Sequence, residues 1–285
     1  MAGFADPALG GAMPSERHGD YPREVVEVLR KGGFESFDEE ATFLCWAGGR
    51  MSRREYDRAL NEASNGVSPY HAAGEYQVLL GEEDSVIDVP RGVMPPDSDT
   101  RAMTAATMQL SETLAPGVIF DIGCGSGVLG IAALMSSPQC EGLFVDIDPR
   151  ACGSTRRNLR RTRLEHRAAV VVCDLARLST SWRGVRMVVA NLPYVPSREV
   201  SSLLPRYRLH VPRIAVDGGA DGMTLFRVLA DVLAEKSSPG MVVALQLGPG
   251  QVRAVRSLFG DEWRTLIAPE DAQECCLSLE RITYR

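Results

Sequence analysis

Short apolar runs alternate with segments of helical periodicity along the second half of the chain. The apolar runs cover residues 143–147, 169–173, 185–190 and 241–247, and the helical periodicity covers residues 150–161, 224–235 and 251–259. Strands that are apolar along their whole length are typical of a parallel sheet covered on both faces. The alternation therefore predicts a doubly wound α/β sheet, closed by an antiparallel pair at residues 265–269 and 276–284.

The first half of the chain has a different pattern. Apolar positions recur at helical spacing in the segments 21–31, 36–46 and 52–63, and extended pieces at 76–80 and 86–89 predict a hairpin. We therefore predict a small helical domain joined to the sheet through that hairpin. The predicted divisions are a flexible N-terminus at 1–20, the helical domain with the start of the hairpin at 21–85, the rest of the hairpin and a linker at 86–100, and the sheet domain at 101–285.

The first strand of the sheet domain ends in a glycine-rich turn. The turn reads Asp121-Ile122-Gly123-Cys124-Gly125-Ser126-Gly127. Glycines between a strand and a helix let a cofactor come within contact distance of the backbone. We therefore expect Asp121, Gly123, Gly125 and Gly127 to bind a nucleotide-like ligand.

Two kinds of ligand fit this turn. Gly125, Gly127 and Gly130 satisfy Gly-x-Gly-x-x-Gly, and Asp146 follows at a distance suited to a ribose hydroxyl, which is the dinucleotide pattern. The acid at the strand end, followed two residues later by the first glycine, instead resembles the first motif of class I S-adenosylmethionine (SAM) methyltransferases. That resemblance implies that Asp121 faces the ammonium end of SAM, and we favour SAM over a nicotinamide cofactor.

Polar residues also follow the next predicted strands. Asp146, Asp174 and Asn191 stand at three successive strand ends, and the carboxyl ends of parallel strands border the ligand crevice of such sheets. We expect Asp146, with Ile147 beside it, to accept hydrogen bonds from the ribose of the cofactor. Asp174 is expected to accept from the exocyclic amine of adenine while Leu175 packs nearby, and a simple turn role is the alternative for Asp174.

No metal site is predicted. Asp148 forms an Asp-x-Asp pair with Asp146, but the proline that follows favours a helix N-cap at Asp148. The seven cysteines have no Cys-x-x-Cys spacing, so packed free thiols are expected rather than a zinc site or disulfides.

A second motif, Asn191-Leu192-Pro193-Tyr194, follows the apolar run at 185–190. The Asn191 side-chain oxygen and the Leu192 carbonyl can accept the hydrogens of a planar NH₂ group, Pro193 stiffens the turn, and the Tyr194 ring covers the face of the group. Such a slot suits methyl transfer to nitrogen, because positioning supplies most of the effect in an in-line displacement. We predict catalytic roles for Asn191, Pro193 and Tyr194, acceptor binding by Asn191, Leu192 and Tyr194, and contact between Asn191 and the cofactor. A plain Asn-x-Pro turn is the alternative.

Composition and net charge limit the kinds of partner that we expect for this protein. The chain has 285 residues, 45% of them hydrophobic and 24% charged, as in an ordinary globular protein. The net charge of −6 disfavours broad nucleic-acid binding, and the basic run at 156–167 is expected to be the solvated face of a helix. Because the sequence has neither a long apolar run nor a basic-then-apolar leader, we expect no membrane span and a cytoplasmic location.

Together these motifs resemble the release-factor glutamine methyltransferases, the HemK or PrmC family. The resemblance covers nearly the whole chain from about residue 21 and includes the segments 69–74, 92–95, 216–223 and 247–251. It implies a helical N-terminal domain, a β-hairpin, and a Rossmann-like methyltransferase domain with a seven-stranded sheet. It also implies SAM as the methyl donor and a glutamine side-chain amide in a release factor as the acceptor.

The departures from the family pattern lie on the acceptor side. The usual Asn-Pro-Pro-Tyr is Asn-Leu-Pro-Tyr here, the usual Pro-Arg-Pro-Glu-Thr is replaced at residues 95–100, and Gln246 stands where the family has a glutamate. Two acceptors therefore stay open, namely a protein glutamine and a small molecule with a planar nitrogen or an electron-rich ring. Adenine-directed methylation of nucleic acid and a non-catalytic binding module are further alternatives. A carbon acceptor would require a base, for which Tyr194, Tyr70 and His71 are the candidates.

Overall fold

A computed structural model of the protein describes residues 21–34, 38–80, 83–266 and 275–282. The predicted flexible segment 1–20, and residues 267–269 and 283–284 of the predicted closing pair, lie outside the described residues. Within the described part of the chain, no helix is long and apolar enough to cross a membrane.

The described chain begins with helices. They are α1 (Arg23–Lys31), α2 (Asp38–Gly48), α3 (Arg53–Ala63) and α4 (Pro69–Ala73). Ser52 and Glu55 form a reciprocal capping box at the start of α3. The first three helices share a small core made of Val25, Leu29, Phe34, Ala41, Leu44 and Leu60. The sequence did not predict α4, because its five residues are too few to show helical periodicity.

An antiparallel hairpin follows, formed by β1 (Glu75–Leu80) and β2 (Glu83–Asp88). Just after β2, the N–H of Val89 donates to the carbonyl of Gly74 at 3.0 Å. Ile87 and Val89 are fully buried and share a hydrophobic cluster with Phe43 of α2 and with residues of the sheet. The hairpin therefore packs against both the helical part and the sheet.

The described residues form a sheet of seven strands, as expected. They are β3 (Gly117–Ile122), β4 (Cys140–Asp146), β5 (Ala168–Val172), β6 (Val185–Ala190), β7 (Val242–Gln246), β8 (Trp263–Thr265) and β9 (Cys276–Arg281), in the spatial order β5-β4-β3-β6-β7-β9-β8. The pairs from β5 to β7 are parallel, and β9 pairs antiparallel with both β7 and β8. The chain order switches between β3 and its neighbours β4 and β6, which opens a ligand crevice at their carboxyl ends.

Helices cover both faces of this sheet. They are α5 (Ser98–Ser111), α6 (Val128–Ser136), α7 (Pro149–Arg161), α9 (Thr224–Lys236) and α10 (Val252–Arg256), and a short helix α8 (Pro205–Arg208) lies in the connection between β6 and α9. One core cluster includes Met103, Ile131 and Leu159, and a second includes Phe226 and Leu229. The predicted doubly wound fold is therefore confirmed.

Two predicted boundaries near the C-terminal end are wrong. Helix α10 is shorter than the predicted segment 251–259, and β8 begins before the predicted residue 265. The guanidinium of Arg256 donates to the carbonyls of Phe259 and Trp263 at 2.9 and 2.8 Å. These carbonyls are therefore bonded by a side chain rather than by the backbone N–H groups of a longer helix. Hydrogen bonds from a side chain to the backbone leave no periodic signal in the sequence.

Candidate active site

A cavity of about 740 Å³ opens at the carboxyl ends of β3, β4 and β6, a volume in the usual range for small-molecule sites. Almost every residue that the sequence predicts for the site lines it. These are Asp121, Gly123, Gly125, Asp146, Ile147, Asp174, Leu175, Asn191, Leu192, Pro193 and Tyr194. The topology thus brings residues from the ends of four strands together around one cavity.

Gly127 differs from the other glycines of the turn. It is not among the residues that line the cavity, and it caps the start of α6 with a φ of 83°. A Cβ at this position would lie 2.9 Å from the Thr155 methyl carbon. The structure therefore gives Gly127 a packing role behind the turn rather than the predicted place on the cavity wall.

Gly123 and Gly125 both line the cavity, and Gly125 has the more open surroundings. Its φ is 56°, and no atom lies within 4 Å of the position that a Cβ would take. Its N–H donates to Oδ2 of Asp146 at 2.9 Å, which joins the ends of β3 and β4. The turn thus leaves bare backbone facing the cavity, with one carboxylate held beside it.

Asp121 lies at the end of β3 with only 2% of its surface exposed. One carboxylate oxygen accepts from the N–H of Gly130 at 2.9 Å. Burial raises the pKa of Asp121 to about 7, which the hydrogen bond from Gly130 partly opposes. A cationic ligand group beside Asp121 would favour its charged form.

The second carboxylate, Asp146, is held by two backbone donors. Besides the N–H of Gly125, it accepts from the N–H of Asp148 at 2.8 Å, and burial raises its pKa. Asp148 caps α7 by accepting from the N–H of Arg150 at 2.8 Å, as the sequence predicts. No cluster of metal-ligating side chains occurs among the residues that the structure describes.

Two apolar side chains, those of Ile147 and Leu175, also line this cavity. Ile147 is 50% exposed, an unusual position for a large aliphatic residue, and Leu175 is buried. Asp174, between β5 and Leu175, accepts from the N–H of Ala176 at 3.0 Å through one oxygen. The predicted turn role of Asp174 is therefore present, and it leaves the residue on the cavity wall.

The Asn191-Leu192-Pro193-Tyr194 segment leaves the end of β6 and forms the opposite wall. Leu192 is buried, whereas Asn191 and Tyr194 are partly exposed to the cavity. The Tyr194 carbonyl accepts from Nε2 of Gln251 at 3.0 Å, and Oε1 of Gln251 accepts from the N–H of Gly248 at 2.9 Å. Burial raises the pKa of Tyr194, so its hydroxyl is neutral at ordinary pH.

The segment after Tyr194 is held by a second support. Val195 forms a parallel bridge with Asp217, and the N–H of Gly218 donates to the Val195 carbonyl at 2.8 Å. Oδ1 of Asp217 accepts from the Ser197 hydroxyl at 2.6 Å and from the N–H of Gly219 at 2.9 Å. The residues at 216–223 and 247–251, noted in the sequence only as a resemblance, therefore position the wall that carries Asn191.

Further apolar and acidic groups line the same cavity. Asp97 and Asp99 at the start of α5 line it together with Tyr207 and the 53% exposed Ile214. Of the three candidate bases, Tyr194 lines the cavity and Tyr70 and His71 do not.

The strand order, the glycine turn after β3 and the polar residues at the ends of β4 and β6 are those of the class I methyltransferase fold, a class of protein that uses SAM as its methyl donor. The family described as the Methyltransferase small domain matches residues 97–206. A release factor glutamine methyltransferase of Bradyrhizobium diazoefficiens is 33% identical over 273 residues, which cover 90% of this chain and 89% of that protein. The chain belongs to the release factor glutamine methyltransferase family.

Two further relatives of the same name match shorter stretches. The protein of Rhodospirillum rubrum is 36% identical over 58% of this chain and 50% of its own length. The protein of Caulobacter vibrioides is 31% identical over 61% of this chain and 60% of its own length. The chain thus spans between half and three-fifths of these two relatives, and the family predicted from the motifs is confirmed.

The residues present fit SAM. The open backbone at Gly125 leaves room for a close approach, and the carboxylates of Asp121 and Asp146 supply acceptors for an ammonium group and for ribose hydroxyls. The exposed Ile147 and buried Leu175 supply an apolar surface for a flat ring.

Proposed function

We propose that this protein transfers a methyl group from SAM to the side-chain amide nitrogen of a glutamine in a protein substrate. The observation that carries the proposal is the wall at Asn191 to Tyr194. It follows β6 directly beside the glycine turn and is held by Gln251 and by the segment at Asp217.

The proposed roles follow from what each group can accept or cover. The side-chain oxygen of Asn191 and the carbonyl of Leu192 accept the two hydrogens of the acceptor NH₂ group, so its nitrogen is oriented along the line of transfer. Pro193 limits the freedom of the turn, and the ring of Tyr194 covers one face of the planar amide. When bound, SAM supplies an electrophilic methyl group on a cationic sulfur.

Each residue of the proposed SAM site is assigned to the group of SAM that its chemistry suits. Asp121 is proposed to face the ammonium group of SAM, Asp146 the ribose, and Asp174 with Leu175 and Ile147 the adenine. Gly123 and Gly125 bring bare backbone to the same wall, and Asn191 borders donor and acceptor alike. An amide nitrogen becomes strongly acidic as it is methylated, so its proton can leave to water and the reaction needs no dedicated base.

The similarity to release factor glutamine methyltransferases supports a protein glutamine as the acceptor, in preference to a small molecule or an adenine base. The test incubates the protein with methyl-labelled SAM and a bacterial release factor, and mass spectrometry then locates the methyl group. We expect label on one glutamine of the factor, and none with the Asn191→Ala variant or with a factor whose glutamine is replaced. Normal SAM binding without label in the factor would contradict the proposed acceptor.

A further inference from the structure

Helix α7 contacts both the glycine turn after β3 and the hairpin of β1 and β2, which follows the N-terminal helices. Two of its side chains, Thr155 and Asn158, are fully buried between them. The hydroxyl of Thr155 donates to the carbonyl of Gly125 at 3.0 Å. Nδ2 of Asn158 donates to the carbonyl of Ser126, in the same turn, at 2.8 Å.

Asn158 also bonds the hairpin at Asp88. Its Oδ1 accepts from the Asp88 N–H at 2.7 Å, and its Nδ2 donates to the Asp88 carbonyl at 3.0 Å. Ser154 adds a hydrogen bond from its hydroxyl to the same carbonyl at 2.9 Å. Asn158 is thus one amide that serves the backbone of both segments.

The hairpin end of this contact continues into the helical part. Val89, next to Asp88, donates to the carbonyl of Gly74 at the end of α4, and its side chain shares a core with Phe43 of α2. Ion pairs of Arg157 with Asp88 and of Arg161 with Glu75 run along the exposed edge of the same contact. The arginines of these ion pairs are exposed and the carboxylates are only partly buried, so the pairs contribute less than the fully buried amide, which is the main polar connection.

We propose that Asn158 is a positioning residue that couples SAM binding at the glycine turn to the placement of the hairpin and the helices α2 and α4. When SAM orders the glycine turn, the position of the Ser126 carbonyl becomes fixed. That carbonyl holds the side-chain amide of Asn158 in place, and the amide in turn holds the backbone of Asp88. By reciprocity, a partner that orders the helical part increases the affinity for SAM. The inference rests on SAM as the donor and is independent of the identity of the acceptor.

The test uses the full chain and two readouts, the dissociation constant of SAM by calorimetry and the hydrogen exchange of α2 and α4 with and without saturating SAM. In the wild type, SAM is expected to slow exchange in both helices. In Asn158→Ala the dissociation constant is expected to rise about tenfold, and the effect of SAM on α2 and α4 is expected to vanish even at saturation. Asn158→Ser is a second variant, whose short hydroxyl cannot reach both segments, and it carries the test if Asn158→Ala does not fold.

Two matched variants on the same helix separate coupling from a general loss of packing. Thr155→Val removes the hydroxyl contacts with the Gly125 carbonyl and with Sγ of Cys124, both in the turn, so SAM is expected to bind more weakly but to protect α2 and α4 normally at saturation. Ser154→Ala removes hydrogen bonds to the hairpin alone, namely to the carbonyl and the carboxylate of Asp88, and is expected to bind SAM as the wild type does. Equal protection of α2 and α4 in Asn158→Ala and wild type would overturn the inference. Failure of the wild type to bind SAM would instead refute the proposed donor.

Discussion

The side-chain amide of Gln251 joins the backbone of Tyr194 to that of Gly248. Nε2 donates to the Tyr194 carbonyl at 3.0 Å, and Oε1 accepts from the Gly248 N–H at 2.9 Å. The loop that carries the proposed acceptor slot is therefore held from the start of α10, a segment distant in sequence. This contact leads to a first prediction.

Replacing Gln251 by Ala is expected to lower kcat by about 10- to 100-fold, because small displacements of positioning groups are costly in an in-line transfer. The dissociation constant of SAM is expected to change less than about twofold, since Gln251 does not line the cavity. Steady-state kinetics and calorimetry measure the two effects. Arg253→Ala, at an exposed position of α10, is the matched control and should leave both values unchanged.

Tyr194 is expected to act through its ring. Because burial raises its pKa, the hydroxyl is neutral at ordinary pH and does not serve as a base. Tyr194→Phe should therefore keep kcat within about threefold, whereas Tyr194→Ala should lose the cover of the acceptor and most of the turnover. A large loss of kcat in Tyr194→Phe, measured on the methylated product, would show that the hydroxyl takes part.

SAM binding is expected to weaken as the pH falls below about 7. The pKa of Asp121 is raised to about 7 in the protein without ligand, so at lower pH its carboxyl is protonated and no longer attracts an ammonium group. Calorimetry between pH 8 and pH 6 measures the change. Asp121→Asn should bind SAM weakly at every pH in this range, and an unchanged slope in that variant would assign the pH dependence to another group such as Asp146.

The same raised pKa has a consequence for folding. Between the unfolded value of 3.8 and about 7, the native state binds more protons at Asp121 than the unfolded state does. Asp121 therefore lowers the stability of the ligand-free protein progressively as the pH rises through this window. Asp121→Asn is expected to unfold at a higher temperature than the wild type at pH 8, with a smaller difference at pH 5, as thermal denaturation can show.

Two glycines of the same turn should respond differently to substitution. Gly127→Ala places a methyl against Thr155 at a φ of 83°, so we expect a loss of stability of about 1–3 kcal/mol. Gly125→Ala meets open space and should cost less stability, but it adds a methyl to a residue that lines the cavity and should weaken SAM binding more strongly. Melting temperatures and SAM titrations of both variants check this contrast, and equal behaviour in both assays would contradict it.

Local sequence was sufficient for most of the longer helices and strands and for most of the residues that line the cavity. Continuous apolar runs predicted β4, β6 and β7, because strands that are mostly buried on both faces exclude polar residues. An apolar run also predicted β5, but β5 is an edge strand whose Val171 and Val172 are exposed, so the expected burial on both faces is wrong there. The polar residues at strand ends were also correctly expected to share one crevice, since parallel strands present their carboxyl ends on the same edge. Motif resemblance identified the family before any contact was known.

Tertiary structure decided what depends on contacts between distant segments. In the folded chain Gly127 does not line the cavity, because α7 packs against that glycine. Tyr70 and His71 do not line the cavity either. The tertiary structure also revealed the support of Tyr194 by Gln251 and the bridge that Asn158 makes between turn and hairpin. A side-chain amide has the same residue code whether it faces solvent or bonds two backbones, so only the folded chain distinguishes the two. The glycine turn from Asp121 to Gly127 was thus readable from sequence as a SAM motif, while the position of each of its glycines relative to the cavity was set by packing.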